Sequence, residues 1–313
     1  MYSLKNKKIL LTGGDGFLGG FVLRGLLKKG IERSNIFIPP SCDYDLRKRE
    51  SCLKVTKNKD IVIHLAGRTG GIAFSKDNPG MLFYDNAAMA LNIIDAAYKN
   101  KVEKFVGIGS ICEYPKFTPV PFRERDLWNG YPEETNAPYG LAKKMMLVQS
   151  QAYNKQYGFR TIHLLLINIY GPADNFDPNT AHVIPALIKK IVEAERDKRD
   201  YIEVWGTGKA TREFLYVEDA AEGIILAAEK YNNSDPINLG SGKEISIKDL
   251  VELICHLVGF KGKIHWDSSK PDGQPRRILD VSLAKREFNF AAKTSLKEGL
   301  KRTIDWYYKT LQT

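Results

Sequence analysis

A tyrosine and a lysine four residues apart are the first candidates for chemistry in this chain. Tyr139 and Lys143 lie in a predicted helix that runs to about residue 157, and positions i and i+4 share one face of a helix. A phenol has a pKa of about 10, and a nearby cation lowers it. The pair is suited to donate a proton to a carbonyl that is being reduced, or to accept one from an alcohol that is being oxidised. The same spacing is also typical of a surface tyrosine beside a solvated lysine.

A glycine-rich loop near the N-terminus could hold the hydride carrier for such a reduction. A predicted strand at 8–11 leads into residues 12–20, and a predicted helix at 21–29 follows. Glycines permit a tight turn and a close approach of a pyrophosphate, which the helix N-terminus then binds. A structural glycine turn without a ligand is the plainer alternative. We predict a dinucleotide site that includes Gly13, Gly16, Phe17, Leu18 and Gly19.

The segment after the next predicted strand, 35–38, bears on the choice between NAD and NADP. NAD-binding folds carry an acidic residue about 20 residues after the glycines, where it binds the ribose 2′-hydroxyl. This chain has Pro-Pro-Ser at 39–41, and Asp43 and Asp45 come later. The missing acid favours NADP. Because no arginine occupies the position to bind a 2′-phosphate, NAD remains possible.

Strands and helices alternate along the chain, which predicts an α/β fold with a mostly parallel sheet. Further strands are predicted at 60–67, 105–110, 162–167, 202–205 and 237–240, and further helices at 86–98, 183–195, 217–230, 247–258 and 296–311. Ala66 and Ser110 fall at the carboxyl ends of strands, where such sheets bind ligands. We predict a Rossmann-type doubly wound NAD(P)-binding domain, residues 1–168 with 212–236. A smaller C-terminal α/β substrate domain, residues 169–211 and 237–313, packs closely on it.

Composition and charge argue against several classes of protein. The chain of 313 residues is 43% hydrophobic, which is ordinary for a globular protein. No apolar run reaches the ~20 residues of a membrane span, and the N-terminus lacks the apolar core of a signal peptide. The four cysteines show no metal-ligand spacing, so we expect reduced thiols, a cytoplasmic location and no metal. The net charge of +10 comes from scattered basic residues without a nucleic-acid-binding motif, so we expect no nucleic-acid partner.

Together, the glycine loop, Ser110, Tyr139 and Lys143 resemble the extended short-chain dehydrogenases/reductases of the nucleotide-sugar epimerase/dehydratase type. Within that group the chain is similar to the GDP-L-fucose synthases over nearly its whole length. The shared motifs are Gly-Ser-Ile-Cys-Glu-Tyr-Pro at 109–115, Glu-Thr-Asn-Ala-Pro-Tyr at 134–139, Asn-Ile-Tyr-Gly-Pro-Ala-Asp-Asn-Phe at 168–176, and the segments 182–188 and 205–215. Cys112 and His182 are the specific part of the resemblance, because most relatives lack this pair.

The resemblance implies a role for each of these residues. Tyr139 would protonate the C4 oxygen of a keto sugar as hydride arrives from NADPH, and Ser110 would hydrogen-bond that oxygen. Lys143 would lower the pKa of Tyr139 and hold the nicotinamide ribose. Cys112 and His182 would be the base and acid that epimerise C3 and C5, since a 4-ketone acidifies both neighbouring C–H bonds. The implied substrate-binding residues are Asn168, His182, Lys190, Trp205, Arg212 and Arg277, with the two arginines suited to the phosphates of a GDP-sugar.

Family members are usually homodimers with a four-helix contact, for which the helices at 86–98 and 139–157 are the candidates. Several residues depart from the family pattern. Asp15 replaces a loop arginine often linked to NADP, Arg68-Thr69 replaces Lys-Val, Leu166-Ile167 replaces Pro-Thr, and Glu113 replaces an isoleucine. Glu113 adds a charge near the active site. These departures leave the sugar and the coenzyme open.

Three functions therefore remain under consideration. The first is an NADP-dependent epimerase-reductase of a GDP-4-keto-6-deoxyhexose, forming GDP-L-fucose or a close relative. The second is an NAD-dependent nucleotide-sugar 4-epimerase or 4-dehydrogenase, and the third is a non-catalytic dinucleotide-binding protein. Individual residues also have plainer interpretations. In these alternatives Cys112 is an inert core thiol, His182 packs against or caps its helix, and Arg212 is an ion-pair partner of Glu213 or Glu218. The remaining histidines, such as His64 and His163, are structural groups.

Overall fold

A computed structural model describes residues 2–270 and 272–312 of the chain. Residues 1, 271 and 313, which the predicted domains include, lie outside the described residues. The strands are β1 (Ile9–Thr12), β2 (Ile36–Phe37), β3 (Ile61–His64), β4 (Lys104–Ser110), β5 (Arg160–Leu166), β6 (Asn168–Tyr170), β7 (Tyr201–Trp205), β8 (Thr211–Tyr216), β9 (Pro236–Leu239), β10 (Glu244–Ser246), β11 (Lys263–Asp267) and β12 (Arg276–Arg277). The helices are α1 (Phe17–Lys28), α2 (Arg49–Thr56), α3 (Ile72–Asp77), α4 (Pro79–Lys99), α5 (Ala137–Tyr157), α6 (Val183–Arg196), α7 (Val217–Lys230), α8 (Ile247–Val258), α9 (Ser282–Phe288) and α10 (Leu296–Thr310).

A six-stranded parallel sheet, in the order β2-β1-β3-β4-β5-β9, forms the larger part of the fold. Alternate residues of β1 face opposite layers of helices, as the twofold period of a strand requires. Ile9 and Leu11 pack in a core with residues of α1 and α7. Leu10 packs in another core with residues of α2, α4 and α5. Helices on both faces of a parallel sheet make the doubly wound α/β fold that the sequence predicts.

The strand order reverses at β1, because β2 lies on one side of it and β3 on the other. Open α/β sheets bind ligands at such a switch point, outside the carboxyl ends of the strands. Thr12, His64 and Ser110 end β1, β3 and β4, so the glycine loop, Ala66 and Ser110 meet at one edge of the sheet.

The smaller sheet formed by β6, β8, β10 and β12 has a separate core, which we call the second core because both cores above flank the large sheet. Its helices are α6, α8 and α10, which contribute residues such as Ile188, Ile254 and Leu300. A separate parallel pair, β7 and β11, packs beside them. No helix among residues 2–270 and 272–312 is long and apolar enough to cross a membrane.

The strand pairing differs from the predicted domain boundaries at two places. β9 pairs with β5 in the large sheet, although residues 237–240 were assigned to the substrate domain. β8 pairs with β6, β10 and β12 in the small sheet, although residues 212–216 were assigned to the Rossmann domain. The chain thus crosses between the two sheets more often than a linear pattern of strands and helices reveals, and the two-domain division itself stays a prediction.

Candidate active site

A cavity of about 2110 Å³ opens over the carboxyl edge of the large sheet and extends to the second core. Single-ligand pockets usually hold about 300–1,000 Å³, so this one has room for a dinucleotide and a second molecule. All the residues predicted from the sequence to bind cofactor, bind substrate or catalyse line it. They are Gly13, Gly16, Phe17, Leu18, Gly19, Ala66, Ser110, Cys112, Tyr139, Lys143, Asn168, His182, Lys190, Trp205, Arg212 and Arg277.

The glycine loop has the geometry of a pyrophosphate cradle. Gly13 has φ +68°, and a Cβ there would lie 2.8 Å from the backbone nitrogen of Ala66. A Cβ at Gly19 would overlap the carbonyl oxygen of Gly13, so strand and helix pack too closely for any side chain. Gly16, the N-cap of α1, makes no side-chain capping bond. The first N–H groups of the helix are therefore free to bind phosphate oxygens, which fits a bound dinucleotide.

Two basic residues that sequence reasoning missed lie farther along the same cavity. Arg47 and Lys48 line it together with Ser41 and Asp45. Arg47 donates hydrogen bonds to Asp45 and, at 3.0 Å, to Asp85, and its guanidinium lowers the pKa of Asp45 to about 2. An arginine for the 2′-phosphate was expected directly after β2, but the loop returns to the cavity about ten residues later, at this basic pair. This doublet just before α2 is the signal that could have indicated a 2′-phosphate site.

His64 holds the ends of β1 and β3 together rather than facing a ligand. Its Nδ1 lies 2.8 Å from Thr12 Oγ1, and both side chains are buried. Burial, with a smaller effect from the Lys143 ammonium, lowers the pKa of His64 to about 3. A neutral, hydrogen-bonded imidazole agrees with the structural role predicted for it.

Ser110 begins a tight turn that carries Cys112 into the cavity. Its side chain accepts a hydrogen bond from the Cys112 backbone N–H at 3.2 Å, and the Glu113 carboxylate accepts one from the Ser110 backbone N–H at 2.8 Å. The two bonds form a capping box on the 3₁₀ turn Ile111–Glu113. Gly140 lets α5 approach this turn, because a Cβ there would overlap the Cys112 carbonyl oxygen. The close approach brings Tyr139 to Ser110.

Tyr139 and Lys143 share one face of α5, as their spacing predicts. The Lys143 ammonium lies 5.9 Å from the centroid of the Tyr139 ring. The side chains of Ser110 and Thr69 hydrogen-bond to the phenol. Lys143 is only 5% exposed, and burial lowers its pKa to about 8. A phenol, a hydroxyl and an ammonium therefore converge in the cavity.

The expected effect of Lys143 on the tyrosine is wrong for the structure as it stands. Burial, followed by the negative charges of Cys112 and Glu113, raises the pKa of Tyr139, while the hydrogen bonds from Ser110 and Thr69 lower it less. The ammonium is near the ring rather than paired with the hydroxyl. Tyr139 is therefore held as a neutral phenol, which is the form that donates a proton.

Cys112 and His182 both line the cavity and come from different elements. Cys112 is half-buried against the large core, and its Sγ lies 3.5 Å from Nη2 of Arg277. His182 is the N-cap residue of α6 but makes no side-chain capping bond. Its side chain keeps contact with solvent in the cavity while protein atoms crowd it, and this desolvation lowers its pKa.

Arg212 is held by backbone carbonyls and not by the acidic residues proposed as its alternative partners. It donates to the carbonyls of Thr211 and Gln274, both at 2.7 Å, and to that of Asp272 at 3.1 Å. Burial and the charge of nearby Arg277 lower its pKa to about 10. Two guanidinium groups thus share one region of the cavity, where an anionic ligand would relieve their repulsion.

The other predicted substrate-binding residues surround this region. Asn168 donates to the Glu213 carbonyl at 3.2 Å, and Lys190 donates to the Glu203 carbonyl at 2.6 Å. Trp205 is 61% exposed, so its indole is available to a flat ring. Asp174, which also lines the cavity, was not singled out from the sequence as a site residue. Its Oδ2 is buried without a hydrogen-bond partner, and burial raises its pKa to about 7.

A Rossmann sheet with a serine, tyrosine and lysine beside its dinucleotide cradle is shared by one class of NAD(P)-dependent oxidoreductases, and this chain falls in that class. It belongs to the NAD dependent epimerase/dehydratase family, whose model matches residues 9–240.

Known proteins resemble the chain over nearly its full length. It is 38% identical to a probable GDP-L-fucose synthase 1 of Oryza sativa subsp. japonica, covering 98% of this chain and 94% of that one. Among solved structures, a GDP-6-OMe-4-keto-L-xylo-heptose reductase from C. jejuni superposes with a TM-score of 0.92 at 27% identity, covering 99% of this chain and 100% of that one. A GDP-L-fucose synthetase from Naegleria fowleri bound to NADP gives a TM-score of 0.89 at 28% identity, covering 100% and 97%.

Proposed function

We propose that this chain is an NADP-dependent epimerase-reductase that converts a GDP-4-keto-6-deoxyhexose into GDP-L-fucose or a close relative. The observation that carries the proposal is that Cys112 and His182 line the same cavity as Ser110, Tyr139 and Lys143. A reductase needs only the last three residues. An additional thiol and imidazole beside them are the base and acid that a double epimerisation requires. The names of full-length relatives agree with this reaction.

In the proposed reduction Tyr139 acts as a neutral phenol, the form that its raised pKa favours. NADPH, when bound at the glycine loop, supplies the hydride. Tyr139 donates its proton to the C4 oxygen, and the Ser110 hydroxyl orients that oxygen through a hydrogen bond. Lys143, whose ammonium is buried beside the ring, binds ribose hydroxyls and stabilises the phenolate left after proton transfer.

The proposed epimerisation precedes the reduction, because it depends on the 4-ketone. The ketone acidifies the C–H bonds at C3 and C5, so a base can remove a proton from one face and an acid can return one to the other. Cys112 acts as the base, and Nη2 of Arg277 donates a hydrogen bond to its sulfur at 3.5 Å. His182, which lines the same cavity, acts as the acid.

Substrate binding is proposed to rest on the region around Arg212 and Arg277. Their guanidinium groups suit a diphosphate, which is doubly charged and can accept paired hydrogen bonds. Trp205 and Lys190 extend this region, and the exposed indole suits stacking on a guanine base. Arg47 and Lys48 are proposed to bind the 2′-phosphate of NADP at the far end of the cavity.

The experiment that tests the function offers GDP-4-keto-6-deoxymannose with NADPH or NADH, follows nicotinamide absorbance, and identifies the product sugar by NMR. Wild type should oxidise NADPH and form a sugar inverted at C3 and C5. Cys112→Ser should block the inversions while hydride transfer to C4 stays possible. Cys255→Ala, which removes a thiol from the second core, is the matched control and should behave as wild type. A normal rate of doubly inverted product from Cys112→Ser would contradict the proposal, and tightly bound NAD without NADPH oxidation would indicate a 4-epimerase or 4-dehydrogenase.

A homodimer in the cytoplasm completes the proposal. α4 and α5 pack against each other, and their outer surfaces expose Tyr84, Leu91 and Val148, which a second copy could bury. The four cysteines are free thiols, with Cys42 exposed, as suits a reducing compartment. A Leu91→Lys/Val148→Lys variant should run as a monomer in light scattering coupled to gel filtration. An unchanged mass would contradict this interface.

A further inference from the structure

Glu113 and His163 form a buried ionisable pair directly behind the reactive turn. Both are 0% exposed. His163 Nε2 lies 3.0 and 3.1 Å from the two carboxylate oxygens of Glu113. The residues are 50 positions apart and come from the turn after β4 and from β5. Buried charges are costly unless they are paired and hydrogen-bonded, so this pair requires a reason beyond packing.

The backbone is shaped to admit the pair. A Cβ at Gly109 would overlap both Oε1 of Glu113 and Nε2 of His163, so the two side chains fill the space that this glycine leaves. His163 Nδ1 has no hydrogen-bond partner. The arrangement fits a neutral imidazole that donates from Nε2, because an imidazolium would bury an N–H group without an acceptor. The carboxylate thus keeps its negative charge.

That charge faces the catalytic groups. The ionisable groups around the Glu113 carboxylate are His163 from β5, Tyr139, Lys143 and Lys144 from α5, and Cys112 and Tyr114 from its own turn. A fixed negative charge opposes ionisation of a phenol and favours an ammonium. Glu113 accordingly raises the pKa of Tyr139 and opposes the lowering of the pKa of Lys143 by burial. Lys144 is engaged elsewhere, since its Nζ donates to the Leu127 carbonyl at 2.7 Å.

We propose that the Glu113–His163 pair is a positioning unit of the active site, which fixes the Ser110 turn and places a buried negative charge that keeps both Tyr139 and Lys143 protonated to higher pH. The geometric part rests on the bond from the Ser110 N–H to Glu113 Oε1, which completes the capping box and fixes the backbone that carries the Ser110 side chain. The electrostatic part is the negative charge of Glu113, which favours the protonated form of both Tyr139 and Lys143. The inference rests on the proposed reductase function and names a determinant of its pH dependence.

The test separates the effect of the Glu113 charge from the effect of its side-chain shape. Glu113→Gln keeps an oxygen that can accept the Ser110 N–H but removes the charge. Glu124→Gln is the matched control, because Glu124 also accepts a backbone N–H, that of Asn238 at 2.9 Å, without contacting the catalytic groups. The NADP⁺ complex of each protein, labelled with [¹³Cζ]tyrosine, is titrated by NMR, and the Tyr139 signal is assigned with Tyr139→Phe. The high-pH limb of kcat/KM for keto-sugar reduction is measured in parallel.

Glu113→Gln should shift the ionisation of Tyr139 and the high-pH limb of reduction to lower pH by roughly one unit, as expected for a unit charge across one layer of side chains. Glu124→Gln should shift neither. Identical Tyr139 titrations in wild type and Glu113→Gln, including no titration in either, would overturn the proposal, as would a shift to higher pH.

A second variant keeps the test decisive if Glu113→Gln does not fold. Glu113→Ile/His163→Val replaces the pair with apolar groups, a change that is often neutral for stability, and it should shift Tyr139 in the same direction. The NMR titration needs no turnover. Failure of wild type to reduce the keto sugar would therefore refute the proposed function while the role of the pair is still measured, and an unshifted Tyr139 in an active enzyme would refute the pair alone.

Discussion

Replacing Gly140 with alanine should damage catalysis by moving one helix against one turn. Gly140 follows Tyr139 in α5, and a Cβ at this position would lie 2.8 Å from the carbonyl carbon of Cys112 and would overlap its oxygen. Both groups belong to the backbone and cannot rotate away. The helix and the turn must therefore separate, and this contact sets the position of Tyr139 relative to Ser110.

The size of the effect follows from the distances. Ordinary van der Waals contact begins at 3.4 Å, so the Cβ requires a shift of at least about 0.6 Å from the carbonyl carbon and a larger one from the oxygen. A misplacement of about 1 Å at reacting groups can cost about 100-fold in rate. We therefore expect kcat/KM for reduction to fall about 10- to 100-fold, with a smaller change in NADPH binding, because the glycine loop lies on other elements.

Stopped-flow kinetics measure the loss of reductase activity, and a thermal melt measures the change in stability. Alanine in a helix is intrinsically more stable than glycine by about 0.5–1 kcal/mol, so propensity alone predicts a higher Tm. Gly80→Ala is the matched control. Gly80 is also helical, in α4, and a Cβ there meets nothing within 4 Å, so this variant should keep full activity. A Gly140→Ala enzyme with wild-type kcat/KM would refute the claim that this close approach positions Tyr139.

Two further predictions concern charge in the site. The Lys143 ammonium has a pKa of about 8, so its positive charge is present below pH 8 and lost above it. The affinity for NADPH, measured by fluorescence titration, should therefore fall as the pH rises through 8, and Lys143→Arg should abolish this dependence because arginine stays charged. A wild-type affinity that is constant from pH 7 to 9 would contradict the prediction. Arg277→Gln should raise the KM for the GDP-sugar about tenfold or more, because Arg277 and Arg212 line the region of the cavity that suits the diphosphate. Arg276→Gln, which changes its exposed neighbour, should leave the KM unchanged, and equal KM values in the two variants would contradict the role of Arg277.

The sequence predicted long amphipathic helices well and short strands poorly. α7 and α8 have the predicted bounds, because a sustained helical period locates a buried face. β11, with the sequence Lys-Ile-His-Trp-Asp, was missed although Ile264 and Trp266 alternate with polar residues, because the run is only five residues long and both apolar side chains are partly exposed. α4 starts at Pro79, earlier than predicted, since Pro-Gly resembles a loop although proline is tolerated in the first turn of a helix.

Within the site, residues that lie in motifs were predictable and residues that meet across the fold were not. Ser110, Tyr139 and Lys143 follow from local patterns that each have a known structural context. His163 was assigned a structural role, and its contact with Glu113 depends on the register of two parallel strands, in which His163 lies opposite Gly107. Arg47 returns to the cavity through a loop whose path no spacing rule specifies. The groups that set the local charge were therefore the hardest to find.

This difference explains why the spacing of Tyr139 and Lys143 gave the wrong sign for the tyrosine pKa. An i, i+4 pair fixes only that both side chains leave the helix on one face. The pKa of the phenol depends on everything else that faces it, and here burial and the charges of Cys112 and Glu113 outweigh the favourable hydrogen bonds. An un-ionised phenol carries the proton that ketone reduction requires, but its raised pKa makes it a weaker acid than a free phenol. The Tyr-x-x-x-Lys pattern thus predicts which two groups meet, whereas the ionisation of the phenol depends on residues that only the fold brings to it.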